Sequence, residues 1–144
     1  MKIKNLLFVL IMIAIGFTGC RKEGCTDPDA INQCEDCKKS DGSCLFEGRY
    51  VFWKNQSTAN FLTGDGAVTL YYYVDNQLVG SEGAGVYWTG TPDCGQNGSI
   101  SVTKELGTSK SKSFFYEVKD QTGFVYYSGN IEFKANTCIG LQLN

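Results

Sequence analysis

Thiols are the most reactive groups in this chain, and there are seven: Cys20, Cys25, Cys34, Cys37, Cys44, Cys94 and Cys138. Histidine is absent. That absence excludes Ser-His-Asp and Cys-His catalysis, imidazole-ligated zinc or copper, and every mechanism with imidazole as the base. The stretch Cys34-Glu35-Asp36-Cys37 has the spacing of a redox dithiol or of half a tetrathiolate zinc site. A redox dithiol needs a fold and a helix N-terminus to depress its pKa, and zinc on four thiolates needs Cys-x-x-Cys pairs at both ends; the sequence supplies neither. Asp27, Asp29, Glu35, Asp36 and Asp41 crowd the same segment and offer oxygen to calcium, but without the Asp-x-Asp-x-Asp-Gly spacing of a calcium loop. Disulfide formation is the remaining use for these thiols, and no metal or cofactor is expected.

Two facing carboxylates could serve a glycosidase. From Gly48 onward, however, Asp65, Asp75, Glu82, Asp93 and Asp120 stand in turn-like contexts, where acidic side chains cap the backbone. No Gly-x-Ser-x-Gly or phosphate loop occurs there, so the chain is expected not to be an enzyme. What remains is aromatic. Tyr71 and Tyr73 alternate with Leu70, Tyr72 and Val74, and Phe115 lies between Phe114 and Tyr116. Successive residues of a strand point to opposite faces, so Tyr71, Tyr73 and Phe115 are candidate ligand-binding residues on an outward face. Exposed rings stack on sugars or hold protein partners. The competing reading is that Tyr and Phe simply suit strands or contact a second sheet.

The elements that would position these groups begin with an export signal. Lys2 and Lys4 precede an unbroken apolar run over residues 6–17, which stops at Thr18, Gly19 and Cys20. The run is shorter than the roughly 20 apolar residues of a membrane-spanning helix and has the layout of a signal peptide. Phe17-Thr18-Gly19-Cys20 resembles the lipobox of bacterial lipoproteins. The resemblance implies removal of residues 1–19, lipid on Cys20 and a short linker over residues 20–23. Two or more acyl chains hold a protein stably on a bilayer. Arg21-Lys22-Glu23 resembles the Lys-plus-acid signature that directs some Gram-negative lipoproteins to the cell surface, which implies an outer-membrane location.

Residues 24–47 form an acidic, cysteine-rich module. Gly24-Cys25-Thr26-Asp27-Pro28-Asp29-Ala30-Ile31-Asn32 and Ser40-Asp41-Gly42-Ser43-Cys44 resemble the two ends of a small module of bacterial surface and secreted proteins, while Cys34-Glu35-Asp36-Cys37 departs from its usual interior. With few apolar residues beyond Ile31, Leu45 and Phe46, the segment cannot build a core, and units below roughly 40 residues need staples. The resemblance implies a Cys25–Cys44 bridge, worth roughly 3 kcal/mol by loop-closure entropy. Proximity pairs Cys34 with Cys37.

From residue 48 the pattern changes to aromatic and β-branched runs broken by Gly, Asn, Asp and Ser, which is strand grammar. Strands are expected over residues 50–54, 68–74, 77–80, 86–89, 99–104, 113–119, 124–127, 131–134 and 138–143, with Asp75-Asn76 as a hairpin turn and Gly129-Asn130 interrupting one long strand. No window holds a helical apolar stripe. The expectation is an all-β, antiparallel two-sheet sandwich of seven or eight strands, immunoglobulin-like or transthyretin-like. Val51-Phe52-Trp53, Pro92-Asp93-Cys94-Gly95 and Tyr127-Ser128-Gly129-Asn130-Ile131 resemble small β-sandwich domains that follow lipoprotein signals in bacteria. That resemblance implies a Cys94–Cys138 bridge.

Removing residues 1–19 takes Lys2 and Lys4 from the 13 basic residues, leaving 11 against 15 acidic ones, net −4. A mildly acidic chain lacks the basic face that nucleic acid requires. The sequence therefore predicts a non-catalytic lipoprotein, held on the membrane through Cys20 and displaying a β-sandwich to a glycan or protein ligand. A purely structural envelope role and a carboxylate-dependent hydrolase are the alternatives.

Overall fold

The computed structural model describes residues 22–144, so the expected signal segment and Cys20 lie outside the described residues. Among these, seven strands and one helix follow in the order β1 (Phe46–Lys54), α1 (Gln56–Gly64), β2 (Thr69–Val74), β3 (Gln77–Gly83), β4 (Ile100–Gly107), β5 (Ser111–Asp120), β6 (Val125–Lys134) and β7 (Cys138–Leu143). They form two sheets, β4-β1-β7 and β3-β2-β5-β6. The fold is the expected all-β two-sheet sandwich.

Alternation builds its core. Tyr50 and Phe52 of β1 and Leu70, Tyr72 and Val74 of β2 are buried, while Thr69, Tyr71 and Tyr73 are only half-buried. The Phe52 ring lies 5.4 Å from that of Tyr72 and 5.7 Å from that of Tyr116, and Phe133 packs against both Tyr50 and Phe114. Each such side chain removed from water stabilises the fold by roughly 1.5–3 kcal/mol. At Asp75 and Asn76 both φ angles are positive, 56° and 59°, as a tight two-residue hairpin requires.

Several expectations are corrected. The sandwich is not wholly antiparallel: β7 runs parallel to β1, from Arg49 opposite Cys138 to Lys54 opposite Leu143. Parallel neighbours need a long crossover, here the intervening strands, and no local pattern signals it. Residues 86–89 form no strand; they belong to a strap between β3 and β4, tied by Trp88 N–H to the Lys54 carbonyl and by Gly95 N–H to Ser101 Oγ. Thr91 of the strap lies where a Cβ on Gly140 would sit, 2.2 Å from its Cγ2. The strap covers the outer side of the three-stranded sheet, which accounts for the burial of outward-facing Val51.

Gly129 and Asn130 do not interrupt a strand, because β6 is continuous from Val125 to Lys134. Gly129 is needed for space: a Cβ there would stand 3.2 Å from the Tyr116 ring. The irregularity falls instead at Tyr126, the extra residue where Tyr127 pairs with Val118 and Val125 with Lys119.

The helix is the largest departure. Asn55 caps it, its side chain accepting from Thr58 N–H at 2.9 Å, and such a cap stabilises a helix by about 1 kcal/mol. Only Thr58, Ala59 and Leu62 turn inward, a stripe too thin to register as periodicity. Thr58 Oγ1 donates to the Leu143 carbonyl and ties α1 to the end of β7.

The segment before β1 folds on three kinds of staple. Cys25 bonds to Cys44, Cys34 to Cys37 and, in the sandwich, Cys94 to Cys138. Asp27 Oδ1 accepts from Asp29 N–H, Asp41 Oδ1 from Ser43 N–H, and Asn32 Oδ1 from Leu45 N–H. Lys110, just before β5, reaches Asp27 and Asp29 at 2.8 and 3.1 Å. Ala30 and Cys44 pack on the sandwich core, so the cysteine-rich segment is seated on the sandwich at the Phe46 end of β1.

Candidate functional site

Nine residues of β1 at roughly 3.3 Å each separate that end from the other by about 26 Å. At the far end stands α1. β6 begins beside α1 and ends near β1's start, where a Cβ on Gly48 would meet the Lys134 backbone. Of the ten large apolar side chains left exposed among the described residues, six lie on α1 or the segments adjoining it: Phe61, Val68, Val86, Tyr87, Phe124 and Val125. This concentration distinguishes the helical pole from the rest of the surface.

An open groove of about 580 Å³ runs between α1 and the start of β6, with Phe61, Asp65, Phe124 and Tyr126 among its lining residues. Phe61 is 62% and Phe124 58% exposed. The Phe124 and Tyr126 rings meet edge to face, centroids 4.9 Å apart at 75°. Tyr126 Oη donates to Asp65 Oδ2 at 2.8 Å, and this hydrogen bond, with burial and the charges of Asp65 and Asp120, pushes the phenol up to about 12.

Sequence reasoning missed the groove because it missed the helix. The available signal was Asn55 followed by Gln56-Ser57-Thr58-Ala59, with Asp65-Gly66 at the other end: a cap, a short run and a stop.

The structure places the candidates Tyr71, Tyr73 and Phe115 on the outward side of the four-stranded sheet. Tyr71 pairs with Lys119 and Tyr73 with Glu117, so Phe115 is the diagonal neighbour of Tyr73. Phe115 is 44% exposed, whereas both tyrosines are half-buried. Lys119 bonds Glu117 at 2.8 Å and lies 5.3 Å over the Tyr73 ring, so one face of this row is already occupied by a cation.

The most deeply buried charge is inside the sandwich. Lys54 is 0% exposed and pairs with Glu82, which also accepts from Tyr72 Oη. Burial lowers the Lys54 pKa, opposed by the hydrogen bond to Glu82, and burial raises that of Tyr72. Glu82 is therefore not a turn cap, contrary to expectation; it sits in β3 and joins the two sheets. Asp120 is a cap, accepting from Thr122 N–H, Thr122 Oγ1 and Phe124 N–H. Among the described residues no three Cys, Asp or Glu side chains converge as a metal site; Asp27 Oδ1 and Asp41 Oδ1 accept from backbone N–H groups, and Lys110 holds the other Asp27 oxygen.

At the helical pole the chain can therefore present rings, hydroxyls and the Asp65 side-chain carboxylate to a ligand. Comparison with protein-family models, with curated proteins and with solved structures finds no match for this chain.

Proposed function

We propose that this chain is a non-catalytic lipoprotein of the cell envelope, anchored through Cys20 and presenting its β-sandwich to a glycan or protein ligand. The observation that carries the reading is the polarity of the sandwich. The cysteine-rich segment that follows Cys20 is seated at one end, and the exposed apolar side chains gather at the other. A contiguous exposed apolar surface marks an interaction site in a folded protein, and a pole directed away from the anchor is where a ligand has access. The lipobox-like Phe17-Thr18-Gly19-Cys20 supports the anchor and, with Lys22-Glu23, an outer-membrane position exposed at the cell surface.

The test is a glycan array and protein crosslinking with the full-length protein extracted in detergent. Phe61→Ala with Phe124→Ala is expected to abolish binding without changing thermal stability; binding that survives the pair overturns the reading. A second surface is favoured by the exposure of Phe115. Tyr71→Ala with Tyr73→Ala tests that row in the same assay. Anchoring is tested separately: Cys20→Ser is expected to release the protein from the membrane fraction and to abolish incorporation of labelled palmitate.

A further inference from the structure

We propose that the groove at the helical pole binds a small organic cation with a methylated ammonium head group, as a free molecule. This adds a small ligand to the reading above and rests on it only in taking the pole as the binding end. Three observations converge. The groove, about 580 Å³, falls within the roughly 300–1,000 Å³ of small-molecule sites. Its lining includes Phe61, Phe124 and Tyr126, and the last two stand edge to face with their planes 75° apart. Asp65 is the only charged side chain among its lining residues, and the charge of Asp120 reaches the same phenol.

The chemistry of the ligand follows from that wall. Ring faces carry negative potential and attract cations, most strongly where water is excluded. Asp65 adds a full negative charge with no lysine or arginine among the lining residues to cancel it, so anions are repelled. A hard metal ion prefers several carboxylate and carbonyl oxygens, and among the described residues no three Cys, Asp or Glu side chains converge on one point. A primary ammonium keeps its water, because rings cannot replace three strong hydrogen bonds. A methylated ammonium is weakly hydrated and apolar at its rim, which matches both features of the groove.

The probes are choline and its uncharged isostere 3,3-dimethylbutan-1-ol, titrated by ligand-observed NMR into the full-length protein in detergent, with methyl glucoside as a neutral sugar. Choline is expected to bind about tenfold more tightly than the isostere, and Phe124→Ala to weaken it about tenfold. Asp65→Asn, which keeps an acceptor for Tyr126, is expected to weaken choline severalfold and leave the isostere unchanged. Equal binding of choline and isostere, preference for the sugar, or no choline binding overturns the proposal. The two readings fail separately: loss of choline binding with array binding intact removes only this one, and choline binding with no array ligand removes only the other.

Discussion

Between Cys25 and Cys44 the chain is held by two disulfides, by Asp and Asn side chains folded onto neighbouring N–H groups, and by Lys110 reaching across from the sandwich. From Phe46 onward it is held by stacked apolar side chains around one buried ion pair, with a single disulfide tying the strap to β7. The difference follows from apolar supply. A short acidic segment cannot bury enough surface to offset its chain entropy, so covalent links reduce the entropy instead. The longer segment alternates apolar residues over seven strands and needs one such link.

The largest effect is expected at Lys54. Lys54→Ala leaves the Glu82 carboxylate buried without its cation, and stability should fall by about 3–5 kcal/mol in chemical denaturation. Lys54→Met with Glu82→Leu should recover most of that loss, because apolar residues fill the space without a desolvation cost. Next come the disulfides. Cys94→Ser with Cys138→Ser should cost about 4 kcal/mol of global stability, by the entropy of the loop reopened. Cys25→Ser with Cys44→Ser releases a loop worth about 3 kcal/mol in the same model. Its effect should appear as lost hydrogen-exchange protection over residues 25–44, with the sandwich melting temperature unchanged. An equal fall in that temperature would mean that the two regions unfold as one, with Ala30 and Cys44 part of the sandwich core.

Asn55→Ala should cost about 1 kcal/mol by removing the α1 cap, read in the same denaturation series. The smallest effect is acid. Thr122 first, then the backbone N–H groups, holds the Asp120 carboxyl below 3.8; Lys110 does so for Asp27 and Ser43 for Asp41. A depressed carboxyl pKa stabilises the fold above the unfolded value, and that contribution is lost as pH falls through the depressed one. Below pH 3.8, therefore, residues 25–44 should lose protection at two of their turns while the sandwich loses it at the Asp120 turn alone. Hydrogen exchange across that range reads both.

Much of this was legible without coordinates. Alternation of Leu70, Tyr72 and Val74 against Tyr71 and Tyr73 is a local period, and it placed each residue on the side the structure gives it. The turn at Asp75-Asn76 follows from residue chemistry. The bridges Cys25–Cys44 and Cys94–Cys138 followed from resemblance, and Cys34–Cys37 from proximity.

The features that local patterns could not supply depend on distant neighbours. α1 presents only Thr58, Ala59 and Leu62 to the interior, and β7 and the end of the sandwich, not propensity, keep it helical. Parallel pairing of β1 with β7 joins the first strand to the last, and no turn between them marks it. Lys54 closes a strand as any exposed lysine would, and only β2 and β3 make it buried and paired. The groove exists because the α1 that follows β1 and the β6 that comes much later meet at one pole. Most of the strands, their faces and the staples were readable from the sequence, because these follow from residues close in the chain or from a recognisable pattern. Which charges are buried and which rings meet was not readable there, because burial depends on what the rest of the chain brings alongside.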